Sequence, residues 1–198
     1  MSSTNSGLTM ILASTSRYRR ELLERLKLPF EIVSPDTDET PLPQEQPAVT
    51  AERLALAKAR SVQARYPRSL IIGSDQVAFC NAVRLDKPGD HAGAVRQLRH
   101  ASGNVVHFIT ALVLLNTASQ RTQTMLVATD VKFRGIGDAE IERYLRAEPA
   151  YDCAGSAKAE GLGISLVESI QSPDPTALIG LPLIALSGML RNEGLALP

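Results

Sequence analysis

Val105-Val106-His107-Phe108-Ile109-Thr110-Ala111-Leu112-Val113-Leu114-Leu115 and Met125-Leu126-Val127-Ala128-Thr129-Asp130-Val131-Lys132-Phe133 are the two stretches on which the fold turns. Both are rich in β-branched and aromatic residues, and residues 116–123 between them are mostly polar. The pattern predicts a long antiparallel hairpin. Upstream, short apolar strands alternate with helical patterns. Residues 9–13 read as a buried strand, 17–27 as a helix buried through Leu22, Leu23 and Leu26, and 30–33 as a second strand. Residues 35–47 form a polar loop, and Thr50 opens a helix to about residue 66 with Leu54, Ala57 and Val62 on one side. Residues 70–73 make a short apolar strand ending in Ser74-Asp75, and another helix starts near Asp90. Downstream, Asp138 caps a helix containing Ile141, Tyr144 and Leu145. Residues 161–170 are strand-like, and Pro182 stands where a last helix, 183–191, begins. The order is not a simple doubly wound repetition. The predicted class is α/β (mixed α+β), a mixed twisted sheet flanked by helices.

With 198 residues, 44% of them hydrophobic and 21% charged, the chain can bury one substantial core or two closely joined lobes. Lys plus Arg and Asp plus Glu both number 21, so the net charge is zero. That balance excludes the basic excess of a non-specific nucleic-acid binder, although it can hide a local basic pocket. No apolar run reaches membrane length, and the polar N-terminus lacks the pattern of a signal peptide. A cytoplasmic protein that binds no membrane is expected, with residues 1–8 a flexible extension and 9–198 a single domain. Cys80 and Cys153 read as two reduced thiols, and three scattered histidines do not make a zinc site.

Four features could carry chemistry. At Ser14-Thr15-Ser16-Arg17-Tyr18-Arg19-Arg20, arginines crowd a helix N-terminus, where the backbone dipole disfavours cations unless an anion is bound. Either this is a phosphate site with Arg19 as the bidentate contact, or the arginines are simply solvated beside a helix capped by Ser14 or Ser16. Asp75 ends a strand, where it can hold Mg²⁺, act as a general base on water, or only cap a turn. The acidic run Asp36-Thr37-Asp38-Glu39 could supply a second carboxylate to a shared metal or be a solvated loop. Lys58 and Lys87 each read as surface lysines alone, but with Arg19 and Ser14 they could neutralise a polyphosphate. P-loop, dinucleotide-glycine and nucleophile-elbow patterns are absent.

Leu12-Ala13-Ser14-Thr15-Ser16, with Arg19-Arg20, resembles the opening signature of the Maf-like nucleoside triphosphate pyrophosphatases. Asp38-Glu39-Thr40, Lys58-Ala59, Gly73-Ser74-Asp75-Gln76-Val77, Lys87-Pro88 and Gly180-Leu181-Pro182 follow in that family's order, from about residue 9 to 191. The resemblance implies an elongated two-lobed fold with a cleft, commonly a homodimer. It also implies hydrolysis of a nucleoside triphosphate to the monophosphate and pyrophosphate, with a divalent cofactor, Mg²⁺ or Mn²⁺. Asp75 would be the general base or metal ligand, Glu39 its metal partner, and Ser14, Arg19, Lys58 and Lys87 the phosphate contacts.

Ser74-Asp75-Gln76-Val77 and Cys153-Ala154-Gly155-Ser156, continued by Lys158 and Glu160-Gly161, are similar to the branch of the family that acts on 7-methyl-GTP. That branch associates Tyr18, Gln76 and Glu160 with base selection, although it implies Trp rather than the smaller Tyr at position 18. An N7-methylated guanine is cationic, so an aromatic ring can stack on it and a carboxylate can accept from its N1–H and amine. Two alternatives stand beside this reading. One is a dTTP/UTP enzyme of the same family, and the other a nucleotide-binding regulator of cell division.

Overall fold

The computed structural model describes residues 7–198. Residues 1–6 of the expected extension lie outside the described residues, while Leu8 packs against the core. The strands are β1 (Thr9–Ala13), β2 (Glu31–Val33), β3 (Ser69–Cys80), β4 (Val83–Arg84), β5 (Val105–Asn116), β6 (Arg121–Phe133) and β7 (Val167–Gln171). The helices are α1 (Arg17–Glu24), α2 (Pro47–Gln63), α3 (His91–Ala101), α4 (Asp138–Ala147) and α5 (Leu183–Asn192). One sheet runs β2-β1-β3-β5-β6-β7, with β4 hairpinned onto the end of β3. β1 pairs in parallel with β2 and β3, and every other pairing is antiparallel. The mixed α/β class predicted from the hairpin is the observed one, and β5 and β6 pair along their whole length from Val105↔Lys132 to Asn116↔Arg121.

Strand alternation divides the core. Met10, Leu12, Leu70, Ile72, Leu112 and Leu114 face α1 and α5. Ile11, Ala13, Ile71, Ala111, Val113 and Leu115 face the Ala51, Ala55 and Ala59 stripe of α2. The far ends of β3, β5 and β6 form a third cluster with α3 and α4, through Leu98, Phe133, Ile141 and Leu145. Helices thus gather around two portions of the sheet, and the groove between them contains the site.

Several boundaries differ from the sequence reading. α1 stops at Glu24 because the chain turns at Lys27, which has φ +56°, two residues before Pro29. α2 starts a turn early, since Pro47 at its first position has φ preset for a helix. Gly137, not Asp138, is the N-cap of α4, and the Glu140 carboxylate accepts from the Gly137 N–H. Residues 161–170 begin as a 3-10 turn, Leu162–Leu166, before β7. The N-terminus of α5 is capped from afar. Asp174 Oδ2 accepts from the N–H groups of Ile184 and Ala185 at 2.7 and 3.2 Å, and Thr176 Oγ1 accepts from Leu183 N–H at 2.8 Å.

The largest difference concerns Asp75. It does not lie beyond a strand end but in the middle of β3, paired with Ala111 of β5. The strand continues through Ser74-Asp75-Gln76 because each polar side chain finds a partner. Ser74 Oγ bonds to the carbonyls of Ala111 and Gly180, Asp75 meets Lys58, and Gln76 reaches residues 177 and 178. What ends near Asp75 is the parallel pairing: β1 leaves β3 after Leu12↔Ile72, and Ser14 turns away into α1. A crevice at the carboxyl end of β1 is the result.

Candidate active site

Gly73 sets the geometry. A Cβ there would lie 2.2 Å from the Ala55 carbonyl oxygen and 3.0 Å from Ala59 N, so only glycine lets α2 lie this close to β3. The approach brings Lys58, buried on the inner face of α2, against Asp75. Lys58 Nζ donates to Asp75 Oδ1 at 2.6 Å and also meets Glu39 Oε1 at 2.9 Å. The side chains of Lys58 and Asp75 are 6% and 10% exposed, whereas Glu39 is 59% exposed on its loop. Asp75 Oδ2 has no partner among the described residues. Burial would raise the Glu39 carboxyl, but Lys58, Lys87 and Arg19 outweigh it and hold the group below its ordinary value.

α1 presents its N-terminus to the same crevice. Ser16 Oγ accepts from Arg19 N–H at 3.4 Å, which makes Ser16 the cap, while Ser14 Oγ accepts from Ser16 N–H at 3.1 Å. The N–H groups of Arg17 and Tyr18 have no acceptor among the described residues and remain available to an anion. Arg19 Nε donates to the Gly180 carbonyl at 2.8 Å. Gly180 has φ +108°, and a Cβ there would crowd Arg19 Nε at 3.3 Å. Burial pulls the Arg19 guanidinium below its ordinary value, opposed by Asp75 and Glu39.

Across the crevice runs the irregular segment 150–161. Tyr18 O–H donates to Asp152 Oδ2 at 3.0 Å and accepts from Arg17 Nη2 at 2.7 Å. Arg17 stands 4.7 Å, and Lys158 Nζ 5.9 Å, from the centroid of the Tyr18 ring. Lys158 also pairs with Asp152 at 3.2 Å. Burial opposes ionisation of Asp152, but Tyr18 and Lys158 draw its carboxyl below the usual range.

Ser14, Tyr18, Arg19, Glu39, Lys58, Asp75, Gln76, Lys87 and Glu160 all line one cavity of about 720 Å³. The structure therefore brings all nine candidates together. Their geometry differs in two places from the simplest reading. Lys58 binds two carboxylates directly rather than standing open to a phosphate. Gln76 points to the sheet face opposite Asp75, and its Nε2 donates to Thr110 Oγ1, Ala177 O and Leu178 O at 2.9–3.1 Å. Because carbonyls only accept, the amide nitrogen must face them, leaving Oε1 for a ligand. Arg84 and Asp152 also line the cavity and were not singled out by sequence. Arg84 sits on a two-residue strand, and Asp152 in a segment without periodicity. Cys153 lines the cavity too, but burial pushes its thiol up to about 12, so it is no nucleophile at neutral pH.

Asp75 and Glu39 are hard oxygen donors that both meet the Lys58 ammonium, and Asp75 Oδ2 and Glu39 Oε2 have no partner among the described residues. Mg²⁺ is commonly held by one or two carboxylates together with water and substrate phosphates. Among the described residues no group of three or more His, Cys, Asp or Glu is placed to hold a metal. The donor set thus fits a cation shared with a phosphorylated substrate rather than an all-protein cage.

A mixed sheet that opens beside a buried ammonium held between two carboxylates and a basic helix N-terminus defines an α/β protein built to handle a polyphosphate. The chain belongs to the family described as Maf-like protein, whose model matches residues 9–193. A 7-methyl-GTP pyrophosphatase of Polaromonas sp. (strain JS666 / ATCC BAA-500) is 57% identical over 188 residues, spanning 95% of this chain and 86% of that protein. One of Bordetella avium (strain 197N) is 58% identical over 186 residues, spanning 94% and 93%. One of Thiobacillus denitrificans (strain ATCC 25259 / T1) is 54% identical over 191 residues, spanning 96% and 95%.

Proposed function

We propose that this protein hydrolyses the α–β phosphoanhydride of 7-methyl-GTP, releasing 7-methyl-GMP and pyrophosphate. The reading is carried by the Glu39–Lys58–Asp75 triad, which faces the helix N-terminus within one cavity, in a chain whose near relatives are named for that reaction. Water attacks the α-phosphorus, the new P–O bond forms as the bond to pyrophosphate breaks, and Asp75 Oδ2 takes the water proton. Lys58 holds Asp75 Oδ1, which leaves Oδ2 without a partner among the described residues. Arg19, Lys87, Ser14 and the α1 N–H groups bind the phosphate oxygens and the charge that builds on the leaving pyrophosphate. Mg²⁺ would be held by Glu39 and the phosphates beside Asp75, and the chemistry it would supply there is polarisation of the phosphoryl oxygens. Tyr18 offers the base a stacking face, and Glu160, exposed and without a partner among the described residues, accepts from the guanine edge.

The enzyme acts in the cytoplasm as a homodimer in this reading. No described helix is long and apolar enough to cross a membrane, and both thiols are free, which suits a reducing compartment. β7 pairs with β6 only at its end, from Asp130 to Phe133, leaving the rest of that edge open with Met125 and Leu126 exposed, a surface suited to a second copy. Steady-state pyrophosphate release from 7-methyl-GTP, GTP, dTTP and UTP, with and without Mg²⁺, tests the assignment. The highest kcat/KM is expected for 7-methyl-GTP, with loss of rate when Mg²⁺ is removed. A preference for dTTP or UTP would overturn the base assignment, and no release from any nucleotide would overturn the enzyme reading in favour of a binding protein.

A further inference from the structure

Glu39 is the exposed member of the triad and lies on a segment, residues 34–46, that has neither helix nor strand. Left to itself such a carboxylate would sample many positions relative to Asp75. The segment is instead fastened to α2 through a single buried carboxylate, Glu45, whose side chain is 7% exposed. Arg53 Nε and Nη2 each meet one Glu45 oxygen at 2.7 Å, a bidentate fork. Thr50 Oγ1 donates to Glu45 Oε2 at 2.9 Å, and Leu42 N–H at 3.4 Å. The same Arg53 Nη2 reaches the carbonyl of Thr40, the residue after Glu39, at 3.3 Å.

We propose that Arg53 and Glu45 are positioning residues that set where Glu39 stands against Asp75, and through it the affinity of the site for a divalent cation. Neither lines the cavity. α2 fixes Glu39 at two points: Arg53 holds the backbone at Thr40, and Lys58, further along the same helix, holds the carboxylate. A rigid helix thereby carries its register into a loop. Groups that orient metal-holding carboxylates without touching the metal typically change its affinity by about 10–100-fold.

The inference rests on Glu39 as a holder of the cation beside Asp75, so the test carries its own benchmark. Mn²⁺ binding to the whole protein, with the product 7-methyl-GMP present, is measured by calorimetry and by the electron paramagnetic resonance of free Mn²⁺, for wild type, Glu39→Gln, Arg53→Lys and Glu45→Gln. Arg53→Lys keeps the charge but cannot span both Glu45 oxygens and the Thr40 carbonyl. Glu45→Gln keeps the volume and loses the charged fork. Both are expected to weaken Mn²⁺ binding about 10-fold, with kcat recovering near wild type at saturating metal. Hydrogen exchange is expected to quicken at residues 38–42 while Ile71 and Ile72 in β3 keep their protection, separating this effect from general unfolding. Wild-type Mn²⁺ affinity in Arg53→Lys and Glu45→Gln, with Glu39→Gln weakened, would overturn the positioning role alone. Wild-type affinity in Glu39→Gln would overturn the metal reading, and the positioning role with it.

Discussion

The two ends of the cavity are built by opposite means. At the Asp75 end the carboxylates and their two main cations are on or tied to regular elements: Asp75 in β3, Lys58 in α2, Arg19 in α1, and Glu39 fastened to α2. At the Tyr18 end Asp152, Lys158 and Glu160 come from an irregular segment, and Asp152 and Glu160 are exposed. Reacting groups lose much of their effect when misplaced by as little as about 1 Å, so they belong on rigid elements. Base selection needs only a difference in affinity and tolerates a looser scaffold. The contrast predicts that damage at the first end lowers kcat for every nucleotide, whereas damage at the second redistributes preference among nucleotides.

The largest effect is expected from Asp75→Asn. The amide keeps the shape but cannot take a proton, and kcat should fall by about 10²–10⁴-fold on all nucleotides, the usual worth of a positioned general base. A loss confined to 7-methyl-GTP would break the division between the two ends. Gly73→Ala comes next. Its methyl group meets the Ala55 carbonyl, so α2 must move away from β3 and carry Lys58 with it. Overpacking of this kind costs about 1–3 kcal/mol, which lowers Tm by about 2–4 °C per kcal/mol in a domain of this size. Because Lys58 shifts from Asp75, kcat should also drop, by up to about 10²-fold. A lowered Tm with unchanged kcat would show that the spacing between α2 and β3 does not govern the chemistry.

The fold was legible where pattern is local. The hairpin of β5 and β6 announces itself by β-branched runs, and α1 by Leu22 and Leu23. Asp75 was recognisable as a candidate, but its place was misread, because Ser74-Asp75-Gln76 breaks the apolar pattern of β3 and so looks like a strand end. The bonds that keep it a strand come from Lys58, Thr110 and residues 177–180, which no local window contains. Lys58 among alanines looks like a surface residue for the same reason. Its burial depends on Gly73 admitting α2, and its partners are two carboxylates from other segments. Likewise Asp174, which caps α5 from ten residues before Ile184, leaves no signature at the helix start itself. Resemblance to a family located the nine lining residues. Sequence alone did not reveal that Gln76 spends its amide donors on the 177–180 turn.

At the Tyr18 end, Glu160→Gln should leave kcat for GTP nearly unchanged while lowering the preference for 7-methyl-GTP over GTP by about ten-fold. GTP and 7-methyl-GTP offer the same N1–H and amine, so those bonds cancel in the comparison, and the counter-charge lost by the cationic base sets the ratio. The ratio of kcat/KM values for the two nucleotides is the measurement. An unchanged ratio, with kcat lowered on both, would place Glu160 with the reacting groups rather than with base selection.

The smallest expected effect is a change in the acid limb of stability, and it probes the loop that carries Glu39 at the rigid end. Arg53 holds the Glu45 carboxyl down, from an ordinary 4.5 to about 2, with burial opposing and Thr50 and Leu42 assisting. A carboxyl depressed in the folded state stays ionised there after the unfolded chain has taken up its proton. The Arg53–Glu45 contribution is therefore fully present above about pH 4.5 and fades as pH falls to about 2. Thermal melts of wild type and Glu45→Gln across this window should differ by a constant amount at higher pH and converge as the acid end is approached. Other depressed carboxylates, such as Asp138 beside Arg99, titrate in both proteins and cancel from the difference. If the gap between the two melts stays constant down to the acid end, Glu45 is not held ionised by Arg53. The loop bearing Glu39 would then be no more firmly fixed than the segment that carries Glu160.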